Sequence, residues 1–296
     1  MLRFCCPILL LLFAITVARA QAPNTQLYVF DLRSGDTSVV LTNPRYLSSF
    51  NAAGYNNQPS WAERDVLYAS VKLPEREQTD IYRFDLANST RQRLTDTEAG
   101  EYSPKPVKGA NRFSAVRQEY RQRDTVLRLW EFPTDLSDKG RPLFPNLNGT
   151  AYYEWLNNDQ LAVLMRQPPM PLVMMSASGA TPRTLAPAAG RTFTRLTNGH
   201  LVYVDKSQSP YRLVEKNLYR LEEPAREIAP MLSGTEDFIV LPDGSYLAGR
   251  DDKLYRLQPS QEVGWREVVD LSHYNIKRIS RLALSNQGQL ALVAEN

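Results

Sequence analysis

The sequence predicts an all-β fold, a six-bladed β-propeller whose blades are four-stranded antiparallel sheets. Three observations predict it: a short alternating strand recurs along the chain, a turn followed by an apolar strand recurs between its copies, and the two series are out of phase at the chain ends. The composition agrees, because 15 Tyr and 20 Pro among 296 residues favour strands and turns over long helices.

The first repeated segment is a short strand in which apolar and polar residues alternate. Its copies cover residues 27–32, 81–86, 127–132, 171–176, 211–215 and 253–257. Successive copies begin roughly 40 to 55 residues apart, which is the spacing of propeller blades. Each copy is therefore expected to supply an outer strand of one blade. On these strands we expect Arg83, Arg128 and Arg256 to face water.

The second repeated segment is a turn followed by an apolar strand. The turns lie at residues 63–65, 109–111, 157–159, 197–199, 242–244 and 286–288. Asn198-Gly199 and Asp243-Gly244 are strong hairpin signals, because glycine adopts a positive φ at no steric cost. The apolar strands that follow are expected to be buried on both faces, with Trp61, Tyr82, Trp130 and Trp155 packed between blades.

The phase of the two series predicts how the ring closes. The chain begins with the first kind of segment and ends with the second. Joining residues 282–296 with residues 26–42 makes one complete sheet, so the two chain ends are expected to share a blade. A meander or sandwich would not produce complementary half-blades. Six blades is therefore the prediction, with seven as the alternative.

Two segments resemble a known repeat. Residues 57–67 read Asn-Gln-Pro-Ser-Trp-Ala-Glu-Arg-Asp-Val-Leu, which resembles the Asn-x-x-Pro-x-Trp-Ser-Pro-Asp-Gly-Lys-x-Ile pattern of TolB-like, or WD40-like (PD40), propellers. Residues 80–86, followed by residues 93–95, resemble Asp-Ile-Tyr-x-x-Asp and x-Leu-Thr of the same repeats. The resemblance is close only over residues 55–97. It implies a six-bladed propeller, here expected without the N-terminal domain of TolB.

The N-terminus predicts export. Arg3 precedes an apolar run over residues 8–17, and Ala18-Arg19-Ala20 places small residues before Gln21, so residues 1–20 read as a signal peptide. A membrane anchor is the alternative, but about ten apolar residues are too few for a bilayer that needs roughly twenty. We expect residues 21–296 to form one propeller domain in the periplasm or outside the cell, with no transmembrane segment in the mature chain.

Several functional classes receive no support from the sequence. Both cysteines, Cys5 and Cys6, lie in the signal peptide, so the mature chain has no disulfide, thiolate zinc site or catalytic thiol. Loss of Arg3 and Arg19 lowers the net charge from +3 to +1, which gives no electrostatic case for nucleic acid. The chain has no Gly-x-Ser-x-Gly, and His200 and His273 are far apart in sequence.

The candidate site is the mouth of the central channel. Loops that join the outer strand of one blade to the inner strand of the next converge there. We expect them to supply partner-binding residues, namely Asn57, Glu101, Tyr153, Arg191, Glu236 and Arg278. Aromatic faces and guanidinium groups suit recognition of a protein or a cell-envelope component. The favoured hypothesis is a monomeric binding module without catalytic residues.

Two alternatives remain open. The first is an exported enzyme, such as a lactonase, hydrolase or lyase, or a glycan or peptide sensor with its site in the channel. An enzyme would place titratable groups with perturbed pKa values there. The second concerns a cofactor: none is expected, but oxygen ligands could hold Ca²⁺ on the axis. The candidate ligands are Asn57, Glu101, Glu154, Glu236 and Asp237, although Arg191 and Arg278 would bring positive charge close to them.

Overall fold

The computed structural model describes residues 23–121, 124–261 and 264–295. It shows six four-stranded antiparallel sheets arranged in a ring, so the predicted six-bladed all-β propeller is confirmed. The described helices are single 3₁₀ turns at Ser49–Asn51 and Ser272–Tyr274. The predicted signal peptide, residues 1–20, lies outside the described residues.

The blades follow one another along the chain, apart from one that both chain ends build. The closing blade contains β1 (Thr25–Ser34), β2 (Val39–Tyr46), β23 (Arg278–Leu284) and β24 (Gln289–Glu295). The first blade contains β3 (Tyr55–Glu63), β4 (Val66–Lys72), β5 (Asp80–Asp85) and β6 (Thr90–Arg93). The second blade contains β7 (Gly100–Pro106), β8 (Arg112–Arg121), β9 (Asp124–Pro133) and β10 (Arg141–Pro142). The third is β11 (Thr150–Trp155), β12 (Gln160–Met165), β13 (Leu172–Ser176) and β14 (Arg183–Ala186). The fourth blade contains β15 (Ala189–Arg195), β16 (Leu201–Asp205), β17 (Arg212–Lys216) and β18 (Arg226–Pro230). The fifth blade contains β19 (Ile239–Val240), β20 (Tyr246–Arg250), β21 (Lys253–Leu257) and β22 (Arg266–Asp270).

The predicted closure is confirmed. Strand β24 lies between β23 and β1, and the β1–β24 ladder runs from Thr25 opposite Glu295 to Asp31 opposite Gln289. The observed blade extends slightly beyond the predicted bounds, because β23 begins at Arg278 and β2 ends at Tyr46. The first and last parts of the described chain are thus hydrogen-bonded into one sheet.

The ring has two faces, which we name after their connections. The hairpin face carries the turns between the first and second strands of each blade, and four of these turns contain a glycine within the predicted turn residues. Gly109, Gly199, Gly244 and Gly288 have φ angles of 72°, 85°, 80° and 81°. The opposite, connector face carries the links from each blade to the next. An innermost strand therefore runs from the connector face towards the hairpin face.

Packing between neighbouring blades forms the core, and the aromatic residues lie there as predicted. Trp61 packs against residues of the closing and first blades, and its indole N–H donates to the Ala283 carbonyl at 3.1 Å. Trp155 lies between the second and third blades and is buried. Removing an aromatic side chain of this kind from a core costs about 3–5 kcal/mol.

Two arginines on the third strands lie differently from the prediction. We expected Arg128 and Arg256 to face water, but both are buried. Arg256 pairs with Asp243 and donates to the Gly35 carbonyl at 2.8 Å, which ties the fifth blade to the closing blade. Arg128 pairs with Glu119 and donates to a carbonyl in the connection to β11. Long side chains were buried here because carboxylates and carbonyls satisfy their charge and donors.

Candidate binding channel

The six innermost strands surround a central cavity of about 1000 Å³. At the end nearer the connector face its lining begins with Gln58, Ser103, Tyr152, Arg191, Asp237 and Arg281, one residue from each blade or its lead-in. At the other end it reaches hairpin-face residues, including Arg64, Lys108, Asn198 and Gln287. The cavity therefore runs along the propeller axis towards the hairpin face.

The floor of the cavity, defined here as Tyr152, Arg191, Asp237 and Arg281, is built from ionic and hydrogen-bonded contacts. Arg191 Nε pairs with the Asp237 carboxylate, and Arg191 Nη2 donates to the Ser280 carbonyl at 2.7 Å. Arg281 Nη1 lies 3.6 Å from Asp237 Oδ1, and Arg281 Nη2 donates to the Tyr152 hydroxyl at 2.7 Å. Side chains from four blades thus meet across the axis.

Tyr55, the first residue of β3, lies beside this floor. Burial raises the pKa of its hydroxyl, while the nearby charges of Arg281 and Arg191 act in the opposite direction. The hydroxyl therefore stays protonated at neutral pH and remains able to donate a hydrogen bond.

The lining carries an excess of positive charge. Its basic residues are Arg64, Lys105, Lys108, Arg191, Arg195 and Arg281, and its acidic residues are Glu63, Glu154 and Asp237. Two of these acids are paired with basic residues of the lining: Lys105 Nζ lies 2.6 Å from Glu154 Oε2, and Asp237 pairs with Arg191. A low-dielectric channel with one sign of charge in excess concentrates ligands of the opposite sign.

An exposed tyrosine stands beside the channel at the hairpin face. Tyr219 is 71% exposed, and its hydroxyl accepts a hydrogen bond from Arg195 Nη2 at 3.3 Å. Its loop, residues 217–225, is anchored by the buried Lys216, whose Nζ donates to the carbonyls of Leu221 and Glu223. A large aromatic ring on an anchored loop is a typical contact residue in protein interfaces.

Arg191, Glu236 and Arg278, three of the six predicted site residues, lie at the connector side of the ring. Arg191 and Glu236 come together, because the Arg191 backbone N–H donates to Glu236 Oε2 at 3.1 Å. Glu236 also pairs with Lys206 at 2.5 Å. Arg278 lies apart from them, 66% exposed and 2.9 Å from Glu295. Of these three, only Arg191 lines the cavity.

Asn57, Glu101 and Tyr153, the other three, lie in strands and are buried. The Asn57 amide oxygen accepts from the Gln58 backbone N–H at 2.7 Å, and the Tyr153 hydroxyl donates to Ser114 of the second blade at 2.8 Å. The expectation that their segments are loops was wrong. Tyr153 does border the cavity, but its side chain is buried against the second blade, whereas the hydroxyl of the adjacent Tyr152 contacts Arg281 at the floor.

The carboxyl groups with strongly raised pKa values do not line the channel. Burial raises the pKa of Glu101 to about 7 and that of Asp80 to about 6. Both lie at the junction of the first and second blades, where Thr97 donates to Glu101 at 2.7 Å and Arg117 lies 3.4 Å from it. Arg76 and Arg93 approach Asp80 from 3.6 and 3.8 Å. These groups lie within a blade contact.

No group of three or more His, Cys, Asp or Glu residues that could hold a metal ion occurs among the described residues. Three of the acids considered for Ca²⁺ are paired with cations, namely Glu154 with Lys105, Glu236 with Lys206 and Asp237 with Arg191. His200 does have a partner that its position in the sequence did not reveal, since its Nδ1 lies 2.7 Å from Glu215. No helix in the described part of the chain has the length and apolarity needed to cross a bilayer.

Three residues that shape the site were missed in the sequence: Tyr152, Arg281 and Tyr219. The sequence carries no clear signal for Arg281, because strand β23 also contains Arg278 and Ser280. For Tyr219 the signal was an aromatic residue in a segment rich in charged residues and turns.

Comparison with known proteins supports the fold. The sequence matches no known family profile and no curated protein. Three solved structures are similar to it at low sequence identity. TolB from Acinetobacter baumannii is 11% identical with a TM-score of 0.58, over 92% of this chain and 64% of that one. A chain of the nidogen/laminin complex is 12% identical with a TM-score of 0.62, over 91% and 98% of the two chains. Oligogalacturonate lyase from Vibrio parahaemolyticus is 12% identical with a TM-score of 0.56, over 87% and 83%.

These similarities establish a TolB-like propeller fold. The chain spans less than two thirds of the TolB chain that it resembles. The similar structures include an enzyme and a chain from a protein complex, so the fold by itself is compatible with either kind of activity.

Proposed function

We propose that this protein is an exported, non-enzymatic binding module that receives a segment of a protein partner in its central channel. The observation that carries the proposal is the cavity of about 1000 Å³, whose floor is built from paired side chains and whose lining extends to the hairpin face. The signal-like N-terminus supports export to the periplasm or beyond.

The lining supports binding more than catalysis. The channel offers guanidinium groups, hydroxyls and aromatic rings, which are typical of recognition surfaces. The acids whose pKa values are strongly raised, Asp80 and Glu101, lie outside the lining, at a blade junction. An enzyme site would place such groups around the substrate.

The partner approaches from the hairpin face in this proposal. Arg64 and Lys108 are exposed there, Arg195 and Tyr219 lie on the same face, and the channel lining reaches this face. Of the residues predicted from the sequence, Arg191 is proposed to contact the inserted segment. The predicted connector-face site, with Glu236 and Arg278, is the competing location on the same molecule.

A crosslinking pull-down compares the two faces. Tagged mature protein is crosslinked in its own cell-envelope fraction, and captured proteins are identified by mass spectrometry. The double variant Arg64→Glu/Lys108→Glu changes the hairpin face, and Lys277→Glu is the matched charge reversal at the connector face. All three side chains are exposed, so the fold is expected to tolerate the changes.

The proposal expects one specific protein that the double variant loses and Lys277→Glu retains. Loss with Lys277→Glu alone would place the site at the connector face. Absence of any specific protein under several crosslinking conditions would contradict the binding function itself.

A further inference from the structure

Arg281 has unused hydrogen-bonding capacity at the floor of the channel. Its side chain is only 12% exposed, and of the described residues only Tyr152 accepts a hydrogen bond from its guanidinium, at 2.7 Å. The distance from Nη1 to Asp237 is 3.6 Å, which is longer than a hydrogen bond. A guanidinium has five N–H donors, so most of those on Arg281 remain available to a ligand.

Asp237 makes its hydrogen bonds to other groups and none to Arg281. Its Oδ2 pairs with Arg191 Nε, and its Oδ1 accepts a hydrogen bond from the Thr192 hydroxyl at 3.1 Å. The floor thus contains two guanidinium groups and one carboxylate, which leaves a charge of +1.

The surroundings strengthen this charge. The floor lies at the inner end of a cavity whose remaining lining is also basic in excess. A charge with little exposure to water is screened less than one at the surface, so its attraction for an anion is greater.

We propose that Arg281 anchors a carboxylate-binding subsite at the channel floor, and that the ligand is a carboxylate on the inserted segment of the protein partner. This inference rests on the proposed function, because it names the chemistry of that partner. A planar guanidinium binds a carboxylate through two parallel hydrogen bonds. Pro59, Trp61, Pro104 and Pro106 in the lining offer apolar walls against which the side chains of a peptide can pack.

The test measures binding of short probes to the full mature protein by the fluorescence of its tryptophans, since Trp61 and Trp155 line the cavity. An acetylated and C-amidated tetraglutamate carries side-chain carboxylates only, whereas an acetylated tetra-alanine with a free C-terminus carries only the terminal one. Trigalacturonate presents carboxylates on a sugar chain. Acetylated and amidated tetra-alanine is the neutral control.

Three variants accompany the probes. Arg281→Gln removes the positive charge, and Arg281→Lys keeps the charge but lacks the planar guanidinium that can make two parallel hydrogen bonds. Arg33→Gln removes an exposed arginine from the same blade. Binding of either acidic peptide that falls by tenfold or more in Arg281→Gln and is unchanged in Arg33→Gln supports the proposal, since a hydrogen bond to a charged group is worth about that factor. If Arg281→Lys binds the peptide with an affinity between those of the original protein and Arg281→Gln, the site of the variants is still folded.

The two peptides distinguish a side-chain carboxylate from a chain terminus. Binding of trigalacturonate alone, equal binding by Arg281→Gln and the original protein, or no binding of any probe would overturn the inference. If the envelope partner is captured equally by Arg281→Gln, the carboxylate subsite fails while the proposed binding function stands. If no partner is captured at all, the function fails whatever the probes show.

Discussion

Arg281 of the closing blade reaches across the propeller axis to Tyr152 of the third blade, which stands opposite it in the ring. Its guanidinium carbon lies 4.9 Å from the centre of the Tyr152 ring, and Nη2 donates to the hydroxyl at 2.7 Å. The pair combines a cation–π contact with a hydrogen bond. It joins two blades that share no strand ladder, and both of its residues line the channel.

The hydroxyl of Tyr152 is expected to contribute to the stability of this contact. Tyr152→Phe retains the ring beneath Arg281 but removes the acceptor, so the free energy of unfolding should fall by about 1 kcal/mol. Urea denaturation measures the change, and Tyr211→Phe is the control, because Tyr211 is partly exposed and stacks on Lys206. Equal stability of the two variants would contradict a role for the hydroxyl.

Stability should depend on pH through Glu101. Burial raises its folded-state pKa from 4.5 to about 7, so its contribution is fully present below pH 4.5 and is lost as the pH rises through 7. The free energy of unfolding should therefore fall over this window, by on the order of 3 kcal/mol. Asp80, whose pKa is raised from 3.8 to about 6, acts in the same direction at lower pH.

Glu101→Gln removes the titrating group and should flatten that pH profile between pH 4.5 and 7. Above pH 7 the variant should be more stable than the original protein, because no buried charge has to form. Glu98→Gln, in the exposed connection just before β7, is the matched control and should leave the profile as it is. Chemical denaturation at a series of pH values provides the measurement, and a parallel profile for Glu101→Gln would refute the prediction.

Arg256 should hold the fifth blade against the closing blade. Arg256→Ala leaves Asp243 and the Gly35 carbonyl without their buried partner, at a cost of about 3 kcal/mol. Arg266→Ala, on the neighbouring outer strand and exposed, is expected to change stability by less than about 0.5 kcal/mol. Thermal and urea unfolding should rank the two variants in this order. A small effect of Arg256→Ala would mean that the contact to Gly35 is dispensable.

Gly199 should be the more sensitive of two equivalent hairpin glycines. Gly199 and Gly244 both have positive φ, so an alanine at either position costs about 1 kcal/mol of strain. A Cβ at Gly199 would also lie 2.3 Å from the Tyr219 hydroxyl, whereas a Cβ at Gly244 meets no atom within 4 Å. Gly199→Ala should therefore displace Tyr219 and weaken capture of the envelope partner, and Gly244→Ala should leave capture intact. Equal capture by both variants would remove Tyr219 from the binding surface.

The ring itself could be predicted from the sequence because it depends on repeated segments. The turn residues of 197–199, 242–244 and 286–288 predicted the hairpins. The different repeat segments at the two chain ends predicted that these ends share one blade. These features are local or periodic, so one chain is enough to reveal them.

The channel floor could not be predicted in the same way, because it depends on the phase of side chains within each inner strand. The ladders of these strands contain irregularities, between Thr150 and Tyr152 in β11 and between Ile279 and Arg281 in β23. A bulge shifts the following side chains to the other face of a strand. Nothing in a single sequence marks these positions, so Tyr153 was predicted where Tyr152 lies, and Arg281 was overlooked.

The position of β1 between β2 and β24 has a consequence for assembly. Before β24 pairs with β1 during folding, one edge of β1 has unpaired N–H and C=O groups. These groups can form hydrogen bonds with a strand of another molecule. The β23–β24 hairpin of a second copy would fill that edge with the same register and side chains. Refolding at high concentration therefore favours reciprocal exchange of C-terminal hairpins, and dilution favours closure of each ring on itself.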